Sequence, residues 1–384
     1  MIPLSIPLLN GKEWTYVKDC LDTGWISSAG SYVNQFEQMV ADYAGVKYGV
    51  ACMNGTVGLH IAQVLSGVTA TDHVLAPNIT FIATLNAIKY TGADPILIDV
   101  NPSNWQMDLD LLESYLLENT EAKEVDGSYY SFHKATNKRI KAIMPVHVLG
   151  NIGDIDRLEA IASRFHLAII EDSTEALGSY YKGKHAGSFG KFGVFSFNGN
   201  KIISTGGGGV IVTNDEDLAK RAKHLTTQAK TSAMEYIHDE IGYNYRLVNV
   251  LAAIGVAQVE QFSEILSKKH YLDAFYRTEL AGVGDICFQE VGPGVQTNGW
   301  LFTFSTQHMR ALLAHLNANG VQSRPFWMPM NQLEMFKENI YVTKTDQSAQ
   351  IYEQCISIPS SAGITQEELE EVVRQIKDFY AQQA

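Results

Sequence analysis

Seven short apolar runs punctuate the first 215 residues and leave few folds open to the chain. They are YGVAC (48–52), HVLAP (73–77), PILIDV (95–100), KAIMPVHVLG (141–150), LAIIED (167–172), FGVFSF (192–197) and GVIVTN (209–214). Runs this short that end in polar or turn residues read as strands, several of them buried on both faces. Most alternate with stretches of helical spacing, such as VNQFEQMVADYA (33–44) and a segment around 154–165. Strand and helix in alternation predict an α/β fold with a mostly parallel, seven-stranded sheet covered on both sides.

After about residue 215 the texture changes. DEDLAKRAKHL reads as a helix, and 251–280 reads as one long helix of the kind that joins domains. Beyond 283 come a GPG turn, a strand-like WLFTFST (300–306), a helix near 308–319 and a final helix over 365–383. This predicts a large domain over 1–250 and a smaller α+β domain over 251–384. The polar segment 119–139 reads as an exposed hairpin or loop inserted before a buried strand. With Lys plus Arg at 29 and Asp plus Glu at 42, the formal net charge is −13, which argues against a nucleic-acid or polybasic membrane binder. Cys20, Cys52, Cys287 and Cys355 are scattered without a CxxC pair, as expected in a reducing cytoplasm. The start of the chain lacks a basic region followed by a long apolar stretch, so no signal peptide is expected.

Four features bear on chemistry. Lys201 follows a buried strand and precedes the glycines of TGGGG (205–209). A lysine held there is either a solvated surface group or a fixed, partly desolvated amine suited to Schiff-base chemistry. Asp172 ends an apolar run at the carboxyl edge of an expected parallel strand, where ligands of open α/β sheets collect. It is either a helix N-cap or a buried partner for a protonated ring nitrogen. Asn54-Gly55-Thr56 passes from strand to helix and offers N–H groups to an anion, with Ser196 as a further hydroxyl. Phe81 is core or a stacking face. The TGGGG run is neither a Walker loop nor a dinucleotide fingerprint, because a strand follows it. The histidines show no metal spacing, and no catalytic metal is expected.

Together these segments resemble the DegT/DnrJ-type sugar aminotransferases that use pyridoxal phosphate (PLP), within the fold-type I aminotransferase superfamily. The resemblance runs from Gly24-Trp25 and FEQMVADYAGVKYGVACMNGTVGLH through APNITFIATLNAIKYTGADPILIDV, MPVHVLG, EDSTEALGS and FSFNGNKIISTGGGG. It ends with GYNYRLVNVLAAIGVAQVE and SRPFWMP. It implies that Lys201 holds PLP covalently and then moves protons. It implies that Asp172 pairs with the ring nitrogen, that Phe81 stacks on the ring, and that Gly55, Thr56 and Ser196 hold the phosphate. Asn244 would reach that phosphate from a partner subunit, making a homodimer with shared sites. Glu175 stands near the ring hydroxyl, where relatives often carry Gln or His. Asn331 falls near the place where relatives often show a His.

The resemblance further implies an amino-acid donor, usually glutamate, and a nucleotide-linked keto sugar as acceptor. SFNGNK and the inserted segment 119–139 resemble the branch acting on UDP-linked 4-keto-6-deoxy-N-acetylhexosamines; a dTDP- or GDP-linked sugar is the alternative. Arg246 and Arg324 are candidates for the diphosphate, or for salt bridges. A dehydratase on the same fold would replace the lysine with His, and a non-catalytic sensor would have no need of both Lys201 and Asp172. A nicotinamide oxidoreductase would need a GxGxxG turn, which is absent from the first strand–helix junction.

Overall fold

The computed structural model describes residues 1–232 and 234–382, so Ala233, Gln383 and Ala384 lie outside it, and with Gln383 the last residue of the helix expected over 365–383. All seven expected runs form strands of one mixed sheet. They are β1 (Tyr48–Cys52), β2 (Asp72–Pro77), β3 (Asp94–Ile98), β6 (Arg139–Ile143), β7 (Ala168–Asp172), β8 (Phe192–Ser196) and β9 (Gly209–Thr213). The polar segment between β3 and β6 forms a hairpin of β4 (Thr120–Val125) and β5 (Ser128–His133). The main order is β1-β9-β8-β7-β6-β2-β3, and only β9 runs antiparallel to its neighbours. β2 and β9 are buried along their whole length, so both faces of the sheet are covered. β5 pairs with residues 139–140 of β6 and β7 with residues 142–143, so the hairpin extends the sheet at the start of β6.

The first helices are α1 (Glu13–Thr23), α2 (Ser31–Ala44), α3 (Gly55–Leu65) and α4 (Ala83–Tyr90). The expected long helix over 251–280 is instead two helices, Asn249–Glu260 and Phe262–Glu279. Gln261 between them leaves the helical region at φ −105° and ψ 8°. Its amide donates to Glu13, and Phe262 turns into the core with its ring 4.8 Å from Tyr43. Docking α1 here outweighs continuing the helix. The first of the two helices packs on α1 and α2.

The C-terminal part has its own four-stranded sheet, with strands Cys287–Phe288, Thr303–Ser305, Cys355–Ser357 and Arg324–Pro325 in that order. Its apolar cluster includes Leu272, Tyr276, Phe304, Leu312 and Ile376. The chain crosses the boundary expected at residue 250 more than once. Ile2 bridges Val321, and the strand Ile340–Val342 runs parallel to β3 on the edge of the large sheet. No described helix is long and apolar enough to cross a membrane.

Candidate active site

Parallel strands deliver their C-terminal residues to one edge of the sheet, and the site forms there. β7 ends at Asp172, which is almost wholly buried. Its Oδ2 accepts from Thr84 Oγ1 at 2.7 Å, and its Oδ1 from the Thr174 N–H at 3.2 Å. Thr84 in turn lies 2.6 Å from Thr80 Oγ1. This carboxylate is therefore oriented by neutral donors, and no described cation forms an ion pair with it. The N-cap alternative does not hold, because no helix begins after Asp172.

β1 feeds α3 through Asn54, whose side chain caps the Val57 N–H at 3.0 Å. The first intrahelical bond is Gly58 N–H to Asn54 O. The N–H groups of Gly55 and Thr56 precede it and have no partner among the described residues. A Cβ on Gly55 would lie 2.9 Å from Thr174 Cγ2 and 3.0 Å from Ser196 Cβ. Glycine is required because three segments converge at that point. They leave a small cradle of N–H and hydroxyl groups at a helix N-terminus, as an anion needs.

Lys201 sits in the turn after β8, which is closed by a bridge from Asn198 to Gly206. Its side chain is only 11% exposed. The amine lies 3.6 Å from Glu175 Oε1 and 4.2 Å from the centre of the Trp300 ring. It is a fixed, desolvated amine, not a solvated surface lysine. Burial pushes the Glu175 carboxyl up to about 7, against the pull of the Lys201 charge and of the Leu149 N–H, which donates to Oε2 at 2.8 Å. Trp300 is anchored from both sides. Its indole N–H donates to Asn200 O at 2.7 Å, and its carbonyl accepts from the buried Lys269 amine at 2.8 Å. Burial holds that amine down to about 7.

A cleft of about 360 Å³ opens over these groups. Phe81, Glu175, Lys201, Trp300, Arg324 and Trp327 line it. Phe81 is 56% exposed, so its ring is not core. Arg324 stands exposed in the wall, has no carboxylate partner among the described residues, and neighbours the stacked Phe326–Trp327 pair. A larger hollow of about 560 Å³ beside Asp154, Arg157 and Pro293 contains none of the expected site residues.

Arg246 takes the salt-bridge alternative of its two expected roles. Its guanidinium is buried in an ion pair with Glu37 and bonds Ala51 O at 3.3 Å. The short bridge from Cys52 to Arg246 pins it behind β1, away from the cleft. Asn244, two residues earlier, is exposed and outside this chain's own cleft. Asn331 exchanges hydrogen bonds with the buried Asn78, through its side chain at 2.8 Å and its N–H at 2.9 Å. Sequence reasoning missed Thr84 and Trp300. For the first, a usable signal was a hydroxyl in the opening turn of α4, shortly after the carboxyl end of β2. Trp300 carried none, because WLFTFST reads as plain strand.

Residues 7–377 match the model of the DegT/DnrJ/EryC1/StrS aminotransferase family. The chain is 36% identical to a GDP-perosamine synthase of Caulobacter vibrioides, covering 97% of this chain and 96% of the relative. It is 36% identical to another from Escherichia coli O157:H7, with 99% of both covered. It is similar in structure to the sugar aminotransferase CalS13 of Micromonospora echinospora, at a TM-score of 0.86 and 26% identity over 98% of this chain and all of that one. The PLP-form of a putative sugar aminotransferase from Streptococcus pneumoniae shares the fold at a TM-score of 0.87 and 23% identity, covering 99% of each chain. A buried carboxylate without a cation, a cradle that excludes a Cβ and a desolvated amine together fit PLP. The chain belongs to the DegT/DnrJ/EryC1/StrS aminotransferase family and is a PLP-dependent aminotransferase of nucleotide sugars.

Proposed function

We propose that the chain aminates a GDP-linked keto sugar, with an amino acid such as glutamate as donor. The observation that carries this reading is 36% identity, over almost the full length, to two GDP-perosamine synthases. The signal for a UDP-linked acceptor rested partly on the inserted segment, and that hairpin contributes no residue to the cleft. Arg324 is the donor for the diphosphate, being a cation in the cleft wall without a carboxylate of its own.

PLP supplies an electron sink for the carbon that bears the amino group. Lys201 would hold the cofactor, and its Nζ would move protons. Asp172, oriented by Thr84 and Thr174, would keep positive charge at the cofactor's ring nitrogen. The Gly55 and Thr56 N–H groups and the Ser196 hydroxyl would hold the cofactor's phosphate, and Phe81 would offer an aromatic face to its ring. Water is kept from the amine by Trp300 and the buried Glu175.

The test compares kcat/KM for a GDP-linked and a UDP-linked 4-keto-6-deoxyhexose, with glutamate in both cases. A preference for GDP of about tenfold or more, equivalent to about 1.4 kcal/mol, is expected. Faster turnover of the UDP-linked sugar would reject the proposed acceptor and leave the aminotransferase standing.

The working unit is a homodimer with shared sites. Asn244 is exposed on the isolated chain, and Met234, Tyr236 and Ile241 nearby are each more than four-fifths exposed. Large apolar side chains clustered in one segment suit a subunit contact. Subunit mixing checks this. Lys201→Ala and Asn244→Ala chains, each impaired alone, regain activity when mixed, because a hybrid dimer holds one intact site. Mixtures that stay as inactive as their parts sink the shared site.

A further inference from the structure

We propose that Glu175 is the proton acceptor and proton store for Lys201. Its carboxylate takes the proton of the Lys201 ammonium, frees the amine lone pair, and holds that proton while Lys201 is bonded to the cofactor. This rests on the reading of Lys201 as the residue that bonds PLP.

Among the described residues, Glu175 is the only carboxylate within ion-pair distance of the Lys201 amine, at 3.6 Å. Both side chains are largely withdrawn from water, and the Trp300 ring covers the amine on another side at 4.2 Å. A proton leaving this ammonium therefore has one described carboxylate within reach. Separations of catalytic pairs without ligand commonly exceed the reacting distance and close on binding.

The structure also constrains the other carboxylate oxygen. Oε2 takes the Leu149 N–H, and Leu149 is held in the left-handed region at φ 60° and ψ 21°, followed by Gly150 at φ 76°. A non-glycine residue in that conformation is strained, so the turn is held by its surroundings. The Glu175 backbone is fixed as well, since its carbonyl accepts from Asn298 Nδ2 at 2.7 Å. The result is one oxygen spent on a fixed donor and one turned towards Lys201. An amide at position 175 could accept the Leu149 N–H equally well. Only a carboxylate can also receive a proton.

Two charged groups act on Glu175. Lys201 favours its ionised form, and Asp172 disfavours it, in the same direction as burial. The transfer balances within the pair. An N–H bond of the ammonium breaks and an O–H bond forms at Oε1, so an ion pair becomes a neutral amine and a neutral carboxyl. When Lys201 is released it leaves as a neutral amine with its lone pair free to take a substrate proton, and the proton on Glu175 returns to Nζ only after that proton has been delivered. Once Lys201 is bonded and offers no free ammonium, burial dominates and the proton stays on Glu175 to higher pH.

The experiment is an infrared titration of the carboxyl C=O band in the apoprotein and the PLP-loaded protein, with Glu175→Gln as the blank. A band absent from the variant is expected, with its midpoint about one pH unit or more higher in the loaded protein. Equal midpoints, or no titrating band, overturn the proposal. The rate at which apoprotein captures PLP, followed by absorbance, gives a second reading. Glu175→Gln is expected to slow capture by about 100-fold and change PLP affinity less, with partial recovery in Glu175→Asp. Unchanged capture overturns the proposal. Borohydride trapping and peptide mass identify the lysine that bonds PLP. A label on Lys201 with an unmoved titration rejects the role of Glu175 alone, whereas a label elsewhere rejects the underlying reading too.

Discussion

Replacing Lys201 with Ala is expected to lower transamination by at least about 10⁴-fold, because one amine both bonds the cofactor and moves the proton. The fold should survive. The amine touches Glu175 and the Trp300 ring and satisfies no described backbone group. Without the lysine charge, the Glu175 carboxyl loses its main counterweight to burial and stays neutral through neutral pH. No uncompensated buried charge is left behind, so the change in unfolding free energy should stay within about 1 kcal/mol. Circular dichroism and thermal unfolding check the fold, and single-turnover kinetics check the loss. Turnover near the wild-type rate would remove Lys201 from the mechanism.

Arg246→Met should act in the opposite way, with a large loss of stability and little direct effect on sugar binding. The Arg246 and Glu37 side chains are 7% and 8% exposed, and Glu37 also accepts the Ala51 N–H at 2.8 Å. Removing the guanidinium leaves the Glu37 charge with only Lys223, at 3.2 Å, and takes a donor from Ala51 O. Breaking a buried pair on one side typically costs about 3–5 kcal/mol. Urea unfolding should show a lower midpoint, while KM for the sugar nucleotide stays near its original value. A raised KM with unchanged stability would return Arg246 to the substrate. Because the pair anchors β1 beside the turn into α3, weaker PLP retention is the expected secondary effect.

Much of the large domain was legible because its strands are short, apolar and buried on both faces, so each run announces itself without its neighbours. Lys201, Asp172 and Gly55 were legible for a related reason. Each sits where a strand ends, and open α/β sheets collect their chemistry at that edge. The break at Gln261 was not legible. The residues on either side have good helical spacing, and only the docking of Glu13 onto Gln258 and Gln261 interrupts them. The strand Ile340–Val342 was equally silent, since it lies far along the chain from β3, with which it pairs.

The two arginines show where the sequence stops. Both are single cations beside recognisable motifs, and local pattern does not separate them. The fold buries one against Glu37, 209 residues away, and leaves the other in the cleft wall. Trp300 and Glu175 tell the same story, because their contacts with Lys201 join three distant segments. The strands, the sheet class and the residue types available at its edge follow from local pattern, since burial and turn chemistry are local. Which charges are paired, which amine is desolvated and which carboxyl faces it follow from the packed fold alone, because they depend on distances between segments far apart along the chain.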